Sequence, residues 1–95
     1  MREIKQRAPF RRDLKRELRG VYSGVLQKGG ELEHIAALLR NDIPLPPKYR
    51  DHQLRGKWEG CRECHIRPDL LLVYRYEGDW LVLERLGSHA EIFGL

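Results

Sequence analysis

Methionine occurs once, at Met1, and cysteine, tryptophan and phenylalanine occur twice each. No uninterrupted apolar run exceeds Leu70–Tyr74, far short of a membrane span. The charged start Met1-Arg-Glu-Ile-Lys-Gln-Arg7 is not followed by the apolar stretch of a secretory signal. A glycine-rich phosphate loop, carboxylates at glycosidase-like spacing and a Gly-x-Ser-x-Gly elbow are all missing. Ninety-five residues leave no room for a cofactor domain beside a substrate domain. The expectation is one cytoplasmic domain spanning residues 1–95, with no membrane contact, whose chemistry is proton transfer on a polyanion, or binding alone.

Charge is abundant, at 34% of residues with a net +4, and unevenly placed. Residues 1–20 hold eight basic groups and three acidic ones, a balance of +5, which leaves −1 for the remainder. Such asymmetry suits a polyanionic partner, because neutralised phosphates release condensed counterions. It suits a solvated, arginine-rich helix face equally well.

Residues 1–7 read as a short strand anchored by Ile4, and Pro9 suits the first turn of a helix. Phe10, Leu14, Leu18, Val21 and Val25 then line one helical face. Gly20 and Gly24 each weaken that helix by about 1 kcal/mol relative to alanine, so it is expected to break early. A second helix runs from Glu31 to about Asn41 with Leu32, Ile35, Ala36 and Leu39 inward, and His34 on a flank reads as structural or solvated. Three prolines make 43–49 an ordered loop. Beyond it, 52–57 is a candidate strand, and Cys61–Arg67 alternates. Cys61, Glu63, His65 and Arg67 share one face; Arg62, Cys64 and Ile66 share the other. Leu70–Tyr76 and Trp80–Leu86 form a hairpin about Gly78-Asp79, followed by a short tail. Helices early and strands late predict an α+β domain with a largely antiparallel sheet.

Three of the four histidines, His52, His65 and His89, fall in the strand-rich half among polar or turn residues. Paired strands would bring them to one end or face of the sheet, where imidazoles serve proton transfer near neutral pH. Asp69 reads as a turn residue, and Glu63 as a salt-bridge partner for Arg67 or Arg75. Trp58 and Trp80 read as packing residues. Phe93 either stacks on a nucleobase or pins the tail to the core. Cys61-Arg-Glu-Cys64-His65 matches the c-type haem attachment pattern. The alternation sends its cysteines to opposite faces, however, which disfavours haem and structural zinc alike. Both cysteines are expected as free thiols.

The run from Leu45 to Gly60, the run from Arg62 to Tyr74 and the run from Leu83 to Gly94 together resemble the YafQ-type branch of the RelE/ParE toxin superfamily. The motifs are Asp-His-x-Leu-x-Gly-x-Trp, His-x-x-Pro-Asp and Gly-x-His-x-x-x-Phe. The resemblance implies a compact α+β domain with two N-terminal helices packed on a curved, mainly antiparallel sheet. It also implies a toxin of a bacterial toxin–antitoxin pair, an endoribonuclease cutting translated mRNA on the ribosome without metal or other cofactor. Catalytic roles carry over to His52, His65, Asp69 and His89, with His89 as general acid and Asp69 or His52 as base. Glu63, Arg62, Arg67, Arg85 and Phe93 would contact RNA. The implied partners are a cognate antitoxin, mRNA on the ribosome and ribosomal RNA. Two other readings compete: a ParE-like toxin that inhibits DNA gyrase, and a non-catalytic RNA- or ribosome-binding module.

Overall fold

The computed structural model describes residues 1–94. Strand β1 (Glu3–Gln6) is followed by helices α1 (Ala8–Glu17), α2 (Ser23–Leu26) and α3 (Glu31–Arg40). A two-residue strand β2 (His52–Gln53) leads to β3 (Arg62–Arg67), β4 (Leu70–Glu77), β5 (Trp80–Gly87) and a short helix α4 (His89–Phe93). The sheet order is β1-β5-β4-β3-β2, with β1 parallel to β5 and every other pair antiparallel.

The sheet has two unequal apolar faces. On one face Cys64, Ile66, Leu72, Tyr74, Leu81, Leu83 and Leu86 pack against Phe10 of α1 and Leu32, Ile35 and Leu39 of α3. On the opposite face Cys61, Leu71, Val73 and Ile92 form a smaller cluster, joined by Leu54, Trp58 and Phe93. The period of two along β3 produces this division. Cys61 and Cys64 accordingly sit in different clusters as buried free thiols. Burial raises the pKa of both, so neither is primed as a thiolate.

The expected inner face of α3 is buried at all four positions. The first helix departs from its pattern: it stops at Glu17, and α2 is a separate single turn. Leu18 is 39% exposed and Val21 93% exposed, so the apolar spacing outlasts the helix that it describes. The chain bends through 18–22 to bring Leu26 into the core. Three α-helices, not two, therefore precede the second strand. The tail expected after β5 is helix α4, and Trp80 stands 44% exposed where packing was expected. No helix among the described residues is long and apolar enough to cross a membrane.

Candidate active site

Strand β3 supplies the centre of the site. Glu63 and His65 project to the face away from the helices, and pairing of β2 with β3 sets His52 opposite Glu63. His89 arrives from the other side, at the first position of α4. Two features aim that helix. Gly87 has φ 150°, and a Cβ there would meet Arg16 and Glu91 side-chain atoms at 2.8 Å. Ser88 then caps the helix: its Oγ accepts from the Glu91 N–H at 3.1 Å, while Glu91 Oε1 accepts from the Ser88 N–H at 2.9 Å. That backbone bond, with help from Arg16, lowers the Glu91 pKa.

All three imidazoles converge on one oxygen. Glu63 Oε2 lies 3.1 Å from His52 Nε2, 3.4 Å from His65 Nε2 and 3.8 Å from His89 Nε2. Glu63 is 3% exposed, whereas the His52 and His89 side chains are about half exposed. Glu63 Oε1 and His65 Nδ1 are buried with no hydrogen-bond partner. Phe93 extends the row, its ring centroid 5.8 Å from that of His89, and Trp58 meets it edge-on at 5.7 Å. One buried carboxylate oxygen thus lies within 3.8 Å of three imidazole nitrogens, an arrangement that can hold the rings in a fixed orientation. The donor atoms of His52, Glu63 and His65 lie within 4.8 Å of one another, a set that also suits a transition-metal ion.

A sequence profile described as "Bacterial toxin of type II toxin-antitoxin system, YafQ" matches residues 2–94. The chain belongs to the YafQ toxin family. It is 46% identical over 60 residues to the mRNA interferase toxin YafQ of Escherichia coli K12; the match covers 63% of this chain and 65% of that protein. The match thus spans just under two thirds of the curated relative's length. Among solved structures, a copper-bound mutant toxin from Helicobacter pylori superposes with a TM-score of 0.84 at 41% identity. That alignment covers 98% of this chain and 100% of the other. The E. coli DinJ–YafQ complex gives 0.82 at 34% identity, over 99% and 100%.

Within this YafQ fold the structure gathers His52, His65, His89, Glu63 and Phe93, but it separates them from most of the expected cations. Glu63, expected to touch RNA, lies beneath the imidazoles and pairs with neither Arg67 nor Arg75. Arg62 projects to the opposite face, one residue out of phase with Glu63, and pairs with Asp51. Arg85 turns to α1 and the buried Asp13, with its Nε 2.6 Å from Oδ2. Arg67 was expected beside Glu63 and His65. A register shift between His65 and Arg67 breaks the alternation, and Arg67 pairs with Glu31. Asp69 stands exposed in the β3–β4 turn and makes no hydrogen bond or ion pair with the three histidines among the described residues.

Other cations were overlooked. Lys48 and Arg50 line a recess of about 170 Å³ with His65, Arg67 and Tyr49. The signal was present in the sequence: Lys48-Tyr-Arg-Asp-His52 places both immediately before a site histidine.

Proposed function

We propose that this chain is the toxin of a type II toxin–antitoxin pair and an endoribonuclease that cuts mRNA during translation. The observation that carries the reading is the convergence of three Nε2 atoms, at 3.1, 3.4 and 3.8 Å, on one buried carboxylate oxygen. Binding alone needs no such arrangement, whereas RNA transesterification needs two proton transfers a few ångströms apart. The ribose 2′-oxygen attacks the adjacent phosphorus and its proton passes to His52, because Asp69, the other expected base, stands apart from the imidazoles in the β3–β4 turn. The P–O5′ bond breaks and His89 protonates the departing 5′-oxygen. The products are a 2′,3′-cyclic phosphate and a 5′-hydroxyl end. Lys48 and Arg50 stand on the His65 side to offset phosphate charge, and Phe93 offers a stacking surface for a base.

The partners follow from charge. Arg12, Lys15 and Arg19 are exposed on and just beyond α1, with no acidic partner among the described residues. They offer a surface to an acidic antitoxin segment or to ribosomal RNA in the cytoplasm. The relative from H. pylori holds copper, and the donors of His52, Glu63 and His65 would hold such an ion here. It would occupy the imidazoles that move protons, so it is an inhibitor in this reading.

The test is in vitro translation with purified protein, mapping new mRNA 5′ ends by primer extension, wild type beside His89→Ala, with a ribosome-free arm. Ends inside codons, seen only with wild type and ribosomes, are the expected result. No cuts by the wild type would remove the nuclease reading and make gyrase inhibition the next assay. Cuts surviving His89→Ala would keep the nuclease and discard His89 as acid.

A further inference from the structure

Strand β2 has only two residues, His52 and Gln53, paired with Glu63 and Arg62. So short a ladder does little to fix a side chain to the fraction of an ångström that proton transfer requires. His52 is nevertheless held at both ring nitrogens. Nε2 faces Glu63 Oε2, and Nδ1 lies 2.7 Å from the Arg50 carbonyl oxygen. That carbonyl is delivered by an unusual backbone, since Arg50 is a non-glycine residue with φ 51° and ψ 43°. Such a conformation persists only where its surroundings enforce it.

The residue between them supplies the enforcement. Asp51 turns its carboxylate to the opposite face of the sheet, toward the helices. There the Tyr74 hydroxyl donates to Oδ1 at 2.5 Å, and Arg62 donates to Oδ1 at 3.4 Å and to Oδ2 at 3.1 Å. Tyr74 is fully buried in β4, and Arg62 adjoins Glu63 in β3. One face of the sheet therefore carries Asp51 on Arg62 and Tyr74; the other carries His52 on Glu63. Among the described residues none of Asp51, Tyr74 and Arg62 makes a side-chain hydrogen bond or ion pair with the three imidazoles.

We infer that Asp51, clamped by Tyr74 and Arg62, is a positioning residue that sets His52 against Glu63 and the Arg50 carbonyl. The kinetic consequence rests on the nuclease reading above; the structural consequence does not.

The experiment uses Asp51→Ala, Asp51→Asn and Tyr74→Phe, each read in two ways. In ribosome-dependent cleavage, Asp51→Ala is expected to lower kcat by about 10²-fold with KM little changed. Asp51→Asn and Tyr74→Phe, which keep part of the clamp, should lose less. Separately, ¹⁵N spectra of the imidazole rings of the free protein should show the His52 signals shifted in Asp51→Ala and those of His89 in place. His52 signals unmoved in a folded Asp51→Ala overturn the proposal. So does movement of all three rings together with loss of dispersed methyl signals, which would make Asp51 a residue of general stability. If Asp51→Ala does not fold, Tyr74→Phe undergoes both measurements against the same criteria. Absence of cleavage by the wild type would count against the nuclease reading alone, because the ring spectra still decide the positioning.

Discussion

His52 faces Glu63 across the β2–β3 rung, with Nε2 3.1 Å from Oε2, although its side chain is half in solvent and that of Glu63 is 3% exposed. The carboxylate is held in a place where an unpaired charge is costly, with one oxygen lacking any hydrogen bond. On the proposed nuclease reading Glu63 serves the chemistry and not the stability of the fold. Glu63→Gln should lower cleavage by about 10²-fold or more, while the unfolding midpoint stays level or rises. A fall in stability with cleavage intact would reverse the assignment. Thermal melts beside a cleavage assay make the comparison.

Zinc or copper supplied to the purified protein should bind at the His52, Glu63 and His65 donors and suppress RNA cleavage. Chelation should restore it, and His65→Ala should weaken binding. Calorimetric titration of Zn²⁺ into both proteins is the direct check, with a readout independent of turnover.

Asp13 is a buried carboxylate of another kind, because its oxygens are fully engaged. The Leu86 N–H donates to it at 2.9 Å, Arg85 Nε at 2.6 Å and Arg16 at 3.0 Å. Asp13→Ala leaves Arg85 half-buried without its partner, at an expected cost of about 3–5 kcal/mol. For a domain of this size that lowers Tm by roughly 10 °C or more. Arg85→Met should cost less, since Asp13 keeps its other donors. An Arg85 variant that loses cleavage at unchanged Tm would restore Arg85 to the phosphate.

Acid stability depends in part on Glu31, which accepts from the Tyr49 hydroxyl at 2.6 Å and pairs with Arg67. The Tyr49 bond first, then Arg67, lowers its pKa against the opposing effect of burial. A carboxyl with a lowered folded pKa stabilises above its unfolded value, about 4.3. That contribution is lost as pH falls through the folded value. Glu31→Gln should flatten the decline in urea midpoint between about pH 5 and pH 3. Tyr49 works at the other extreme: burial and Glu31 push its phenol up to about 12. Stability from the protonated phenol is therefore complete below about pH 10 and lost as pH rises toward 12.

Strand alternation was legible because it is local. Reading Cys61–Arg67 with a period of two places Glu63 and His65 together and Cys64 opposite, and so sets aside the haem-like pattern. The Gly78-Asp79 turn and the buried face of α3 are local in the same sense. Helix α4 was legible too and went unread: Ser88 and Glu91 stand at capping-box spacing. The fate of the arginines was not local. Arg62 finds Asp51 eleven positions away, and Arg85 finds Asp13 seventy-two positions away. Nothing near either arginine in the chain separates a cation awaiting phosphate from one already neutralised. The departure of Arg67 from its expected face turns on a single irregularity in the β3–β4 ladder.

The pairing of β1 with β5 sets Glu3 beside Trp80 and Gln6 beside Leu83. Translation emits these partners far apart in time, about 4–15 s at ordinary elongation rates. Over that interval Phe10, Ile35 and Leu39 have no sheet to cover them, since β3, β4 and β5 are made after every helix of the inner layer. Growing chains should therefore expose an apolar surface to chaperones and proteases, and β1 can close the sheet only after β5 has formed. His89 follows β5 in the chain, so the proposed proton-transfer site is complete only once the last strand and α4 have been made and docked.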